Sequence, residues 1–311
     1  MSPLPDPQQL AASRTGLPKI VLFAILCVVW GSTWLAMKTS VGAVPPAFFA
    51  GTRWIMAGLV LVVWRTHRGL PLRIGFARIG RVAAVALLMI ALNASLLLYG
   101  LKHVGSGLGA VITSGFTPLT LLGFGILFGE ERFSWRQAGA IALGMAGLAM
   151  LFGPSAFRGE LSSADVLGAI LIILGCISYC AGSVLARPLM RSLSPAHVAA
   201  ITNLIGGGVL LTLSLAVEPG SWHALRGEWG WPAWAGWFFL LLPSSLGATI
   251  IYFVLVRDWG ASKAGTYAFV SPVIAVLLGV AVYGERLNIT DAIGMVAMLA
   301  AAAIALRRVP R

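Results

Sequence analysis

Long apolar runs, almost free of charge, decide what this chain can fold into. Residues 113–135, TSGFTPLTLLGFGILFGEERFSW, show the type: a proline near the start, a dozen apolar residues, then an abrupt Gly-Glu-Glu-Arg. About 18 or more such residues suffice for a helix to cross a bilayer. Spans are predicted at 20–37, 46–64, 82–101, 104–128, 138–157, 166–186, 196–217, 232–256, 264–283 and 289–306, the last weakened by Asp291 near its start. The runs are continuous rather than alternating, which argues against a membrane β-barrel. The expected fold class is therefore an all-α integral membrane protein, a bundle of ten transmembrane helices.

Composition supports this reading. The chain is 59% hydrophobic and 10% charged, whereas soluble domains carry about 25% charged residues. The spans leave only short loops and no room for a separate soluble domain. A net charge of +12 raises the question of nucleic acid, but in a membrane protein Lys and Arg mark cytoplasmic loops. With the N-terminus inside, only Lys38, Lys102, Arg158, Arg226 and Arg286 fall outside, and Arg53 falls within a span. Both termini are expected to be cytoplasmic, with no nucleic-acid partner. The basic stretch 66–81, THRGLPLRIGFARIGR, reads as an inner-surface loop meeting anionic membrane lipids. Residues 1–18, polar and proline-rich, read as a disordered cytoplasmic tail. The first apolar run is read as retained rather than cleaved.

The design of residues 113–135 occurs twice. VSPVIAVLLGVAVYGERLNI (270–289) repeats it, with Pro272 opposite Pro118, Gly284-Glu285 opposite Gly129-Glu130 and Gly294 opposite Gly139. The offset is 154 at the prolines and 155 afterwards. Upstream, Pro195 falls opposite Pro46, and Tyr179 opposite Trp30. The halves are residues 19–157 and 158–311, five spans each. Five is odd, so the second half enters the membrane in the opposite sense. Inverted repeats of this kind are a recurring build for secondary transporters, with the substrate site near the midplane between the halves.

The doubled proline-to-Gly-Glu segment, Gly139 and Gly294, and the Trp30-Gly31 pair of the first span resemble the EamA-type repeats of the drug/metabolite transporter superfamily. The resemblance covers nearly the whole chain, and its length and overall look are similar to the YddG-like bacterial amino-acid exporters. The second half departs from it in having Cys180 where the first has Gly31. The resemblance implies a ten-helix secondary transporter of the bacterial inner membrane, often an exporter. It implies movement of amino acids or similar small amphipathic metabolites by alternating access. A multidrug or other metabolite carrier is the alternative, and a channel a more distant one.

Candidate site residues are the polar and aromatic groups predicted at mid-span. A substrate cavity is expected from Trp30, Asn93, Tyr99, Ser114, Tyr179, Ser244, Ser245, Tyr252, Tyr267 and Ser271, within a wider set that adds Thr113, Ser183, Asn203 and Thr249. Amides, hydroxyls and rings suit zwitterions better than phosphorylated solutes, which call for paired Lys or Arg. Arg53 is either a carboxylate ligand or a side chain that reaches an interface; burying it mid-span costs about 2.5–3.5 kcal/mol. Pro118, Pro243 and Pro272 each remove a helix hydrogen bond and free a carbonyl. They are either gating kinks or static ones. Glu130 and Glu285 close the fourth and ninth spans on opposite faces and are expected in gate pairing or capping. No acidic residue or histidine is predicted at mid-span, so facilitated diffusion or exchange fits better than a proton relay.

The sequence holds no HExxH zinc motif and no GxSxG nucleophile elbow, so an enzyme is not expected. Cys27, Cys176 and Cys180 lie in apolar runs and read as packing. No metal or cofactor is expected, and a monomer suffices. The glycine pairs Gly105/Gly109 and Gly125/Gly129 have the spacing that lets helices approach closely. Trp222, Trp229, Trp231, Trp234 and Trp237 read as an interfacial aromatic belt.

Overall fold

The computed structural model describes residues 17–40, 44–104, 106–156, 162–284 and 287–307. Among them all regular structure is helical. The long helices are α1 (Lys19–Ser40), α2 (Pro46–His67), α3 (Phe76–Gly100), α4 (Ser106–Leu127) and α5 (Trp135–Ala156), followed by α6 (Ser163–Leu189), α7 (Pro195–Val217), α8 (Trp231–Trp259), α9 (Tyr267–Tyr283) and α10 (Ile289–Leu306). Single helical turns at Ser221–Ala224 and Ala261–Ala264 precede α8 and α9.

Eight helices among the described residues are long and apolar enough to cross a membrane. Ten spans were predicted. Helices α1 and α5 are the two of the ten outside that set; α5 opens on the polar pair Arg136 and Gln137. The predicted tail and Glu285 lie outside the described residues, apart from Leu17 and Pro18.

Local chemistry sets the helix ends. Pro46 and Pro195 stand at the first turns of α2 and α7, where a missing N–H costs nothing. Ser162 with Asp165, and Asn288 with Asp291, form reciprocal capping boxes at α6 and α10, which satisfies N–H groups that would otherwise be orphaned. Asp291 therefore starts its helix rather than interrupting it. Gly129 and Gly284, the paired glycines of the repeated motif, have φ of 69° and 67°. That left-handed conformation ends a helix and favours glycine. Gly125 and Gly129 are thus not a packing pair: the Gly125 carbonyl accepts from the Glu130 and Glu131 amides in the turn. The basic stretch 66–81 is only partly loop, since α3 begins at Phe76 and carries Arg78 and Arg81.

Two helices depart from α geometry. Leu87–Leu92 in α3 and Leu240–Ala248 in α8 are π-helical. Such widened turns often mark functional positions. At the repeat offset of 154 the first falls inside the second.

The packing pairs helices across the chain. Helix α2 lies along α7 and α5 along α10; α1 packs on α8 and α9, while α6 packs on α3 and α4. Close contact needs small residues. A Cβ built on Gly147 of α5 would stand 2.6 Å from the Gly294 carbonyl of α10, and one on Gly294 would stand 2.7 Å from the Gly147 carbonyl. Outward faces are apolar, as at Ile170, Leu174, Ile293 and Val296. The tryptophans divide. Trp222 and Trp231 are exposed, whereas Trp229, Trp234 and Trp237 pack together beside Phe48 and Phe49. Their indole N–H groups donate to the Ala224 and Gly227 carbonyls and to Thr52 Oγ1.

Candidate functional site: a central polar and aromatic cavity

A cavity of about 310 Å³ lies between the helices, walled by α1, α2, α3, α4, α6, α7, α8 and α9. Among the described residues, helices α5 and α10 contribute none of its lining.

One wall is aromatic. Three of the chain's five tyrosines converge there with Trp30. The Trp30 ring meets Tyr267 edge-on at 4.5 Å and Tyr252 at 5.2 Å, and Tyr179 stacks beside Tyr252 at 6.0 Å. Edge-to-face and offset pairs like these are the favoured ring geometries. Tyr252 is fully buried and donates to Ser183 Oγ at 3.1 Å, while Tyr267 donates to the Tyr179 hydroxyl at 3.5 Å.

The remaining walls carry hydroxyls and amides. On α4, Thr113, Ser114 and Thr117 face the space, with Thr113 and Thr117 donating back to the Gly109 and Thr113 carbonyls. Helix α8 adds Ser244 and Thr249, α9 adds Ser271, and α3 adds Asn93. Helix α7 supplies Thr202, which donates to Val198 O, and Asn203. Asn203 is fully buried, and neither atom of its amide has a hydrogen-bond partner.

Arg53 brings a charge to this space from α2. Its Nη1 donates to Ser245 Oγ and, at 3.5 Å, to the Leu240 carbonyl, both in the α8 π segment. The guanidinium also lies 4.8 Å from the Trp54 ring centroid. Its Nε is buried and unpartnered. No Asp or Glu appears among the described residues lining the cavity.

Of the residues expected in a cavity, Trp30, Asn93, Ser114, Tyr179, Ser244, Tyr252, Tyr267 and Ser271 line this one. Two do not. Tyr99 is 54% exposed, packs on His103, and has the Lys102 ammonium over its ring. Helical phase explains the miss: Asn93, Leu97 and Leu101 share the cavity face at four-residue spacing, and Tyr99 falls off it. Ser245 is fully buried behind the wall and holds Arg53. Pro272 lines the cavity with Ala268; Pro118 and Pro243 do not, and Pro243 lies within the π segment. Trp54, Thr117, Thr202 and Cys176 also line it. Thr117, four residues after Thr113, was the readable signal among these. Among the described residues no group of three metal-ligating side chains forms.

Beyond the aromatic wall, the turn between α4 and α5 ties several elements together. Glu130 accepts from Arg187 and Arg191 at 3.3 and 3.0 Å. Glu131 accepts the Ser262 amide at 2.9 Å. Burial pushes its carboxyl above the usual carboxylate range, and the Ser262 amide and nearby Arg187 offset only part of that. Lys19 pairs with Asp258 at 3.1 Å. Where α7 runs out, Glu218 accepts the Ala47 and Phe48 amides at the start of α2, an anion at a helix N-terminus. Neither Glu131 nor Glu218 stood out in the sequence.

Comparison with known proteins gives a consistent result. The EamA-like transporter family matches twice, over residues 17–153 and 166–307. The chain is 32% identical over 279 residues to a protein of Escherichia coli (strain K12) named "Uncharacterized inner membrane transporter YedA", covering 88% of this chain and 86% of that one. It is 29% identical over 294 residues to "Uncharacterized transporter YvbV" of Bacillus subtilis (strain 168), covering 93% and 90%. A solved crystal structure superposes with a TM-score of 0.77 at 20% identity, covering 93% of this chain and 96% of that chain, which is a likeness of fold.

Proposed function

On the premise that this chain belongs to the EamA-like transporter family, we propose that it is a secondary transporter of the bacterial inner membrane that exports amino acids or similar small amphipathic metabolites. It works by alternating access through the central cavity. Its ten membrane helices form two inverted repeats, 19–157 and 158–311, with residues 1–18 as a cytoplasmic tail and both termini inside. The inner-membrane assignment follows the name of the Escherichia coli relative.

The observation that carries this reading is the cavity itself. Both halves contribute to it, and its rings, hydroxyls and amides suit a solute with apolar and polar parts. The paired packing of helices and the matching π segments support a two-fold design. The ties around Glu130 and Glu131 bridge both halves, which suits a closure that breaks and reforms during transport. Because no carboxylate or histidine lines the cavity among the described residues, exchange or facilitated diffusion is the proposed mode.

The test is counterflow in liposomes containing purified protein, screened with labelled amino acids, sugars and nucleosides. Saturable exchange of amino acids is expected. Exchange of large cationic dyes alone would overturn the amino-acid assignment, and flux linear in concentration would favour a channel. Uphill flux driven by an imposed pH gradient would contradict the exchange mode.

A further inference from the structure

Two cavity-lining side chains have polar atoms that the protein leaves unsatisfied. Asn203 is 0% exposed, with its amide nitrogen and oxygen both unpartnered. Arg53 has a buried Nε with no acceptor, and no ion pair neutralises it among the described residues. Buried polar atoms nearly always find partners, and each exception calls for a reason. A buried charge without a counter-charge is costlier still.

These two exceptions stand on facing helices. The α2 stretch 51–58 lies against α7, with Gly51 on Leu211 and Gly58 on Ala200 and Leu204. Arg53 is also anchored. Its Nη1 is held by Leu240 O and Ser245 Oγ, so the guanidinium is fixed before any solute arrives. A fixed planar fork of donors matches a carboxylate, while an amide can donate to a carboxylate oxygen or accept from an adjacent N–H.

We propose that Arg53 and Asn203 form a carboxylate-reading subsite of the cavity. The solutes carried are then zwitterions or monoacids, and carboxylate-free cations are refused. This rests on the transporter reading above and narrows its substrate class. Refusal follows from charge: among the described residues, an ammonium without a carboxylate finds no acidic residue in the lining and meets a guanidinium with no ion pair. A zwitterion brings its own counter-charge, leaving its ammonium to the Trp30 and tyrosine faces and the hydroxyls.

Three matched probes separate the possibilities: leucine, 4-methylpentanoate and leucine methyl ester. Binding to the purified protein is measured for each, and exchange is measured in liposomes. Leucine and 4-methylpentanoate are expected to bind, with the ester on the order of a hundredfold weaker, since a charge-assisted contact is lost. Arg53→Gln should bring both acids down to the level of the ester, and Arg53→Lys should restore part of the preference. Asn203→Ala should weaken both acids without strengthening the ester. Equal binding of ester and acids to the unaltered protein overturns the subsite, whatever the variants do. So does an equal loss of all three probes in a folded Arg53→Gln protein, or binding of none of them. If 4-methylpentanoate exchanges and leucine does not, the subsite stands and the amino-acid assignment falls.

Discussion

Helix α3 widens to π geometry over Leu87–Leu92 without a proline, and α8 does so over Leu240–Ala248 around Pro243. A carbonyl in each widened turn accepts from a neighbouring helix. Leu88 O takes the Ser178 hydroxyl at 2.6 Å, and Leu240 O takes Arg53. A proline is therefore not necessary for a π turn in this fold, since α3 forms one without it; in α8 Pro243 removes one helix hydrogen bond within the turn. The difference lies in the latch. A neutral hydroxyl closes the first turn and adds nothing to the cavity's charge. A guanidinium closes the second and brings a cation to the lining. Two like distortions thus meet unlike partners, one a neutral hydroxyl from α6 and the other a guanidinium that lines the cavity.

Four measurements test that contrast. The largest expected effect is at Gly206, where a Cβ would lie 2.6 Å from Ile90 Cβ and 2.8 Å from the Ala86 carbonyl, against the α3 π turn. Gly206→Ala should cost about 1–3 kcal/mol, read as a lower Tm in detergent; an unchanged Tm would show that α3 has room to shift. Ser178→Ala should cost about 1–2 kcal/mol by stranding Leu88 O, and no loss would mean that the first turn needs no latch. Pro243→Ala should change stability by less than about 1 kcal/mol. It should nevertheless slow exchange, because reversion to α geometry would rotate Ser244 and the Arg53 anchor by roughly 100°. The smallest effect concerns pH. The Glu131 carboxyl is raised by burial in the folded protein, so its contribution to stability is present at low pH and is lost as pH rises through its folded-state value. Glu131→Gln keeps an acceptor for Ser262 and should flatten that slope. A slope that persists would point to titration elsewhere.

The sequence made much of this legible, for identifiable reasons. Uncharged polar residues inside apolar runs are costly unless they face protein or water. That rule alone collects Trp30, Asn93, Ser114, Tyr179, Tyr252 and Tyr267, all of which line the cavity. The repeated Gly-Glu was visible as a motif, and its cause, a left-handed helix end, is seen only in the backbone. Phase was the weak point. Tyr99 has the chemistry of a cavity residue but lies off the face shared by Asn93 and Leu97. The π turns left no sequence signal in α3, and past such a turn the count of residues per face shifts. Whether Arg53 faced the cavity or an interface depended on where Ser245 and Leu240 O stand, which is tertiary information.

The contact between Gly147 and Gly294 bears on how this chain can drift under mutation. There the backbone of each helix is itself the surface the other rests on. Every missense change at either codon adds at least a Cβ, so only synonymous changes are free. In a saturation library these two codons should be depleted as strongly as those of the cavity, although no described residue of α5 or α10 lines that cavity. A map of intolerant positions would mark them as if they handled substrate. Retained exchange by the few surviving carriers would distinguish a scaffold position from a recognition one.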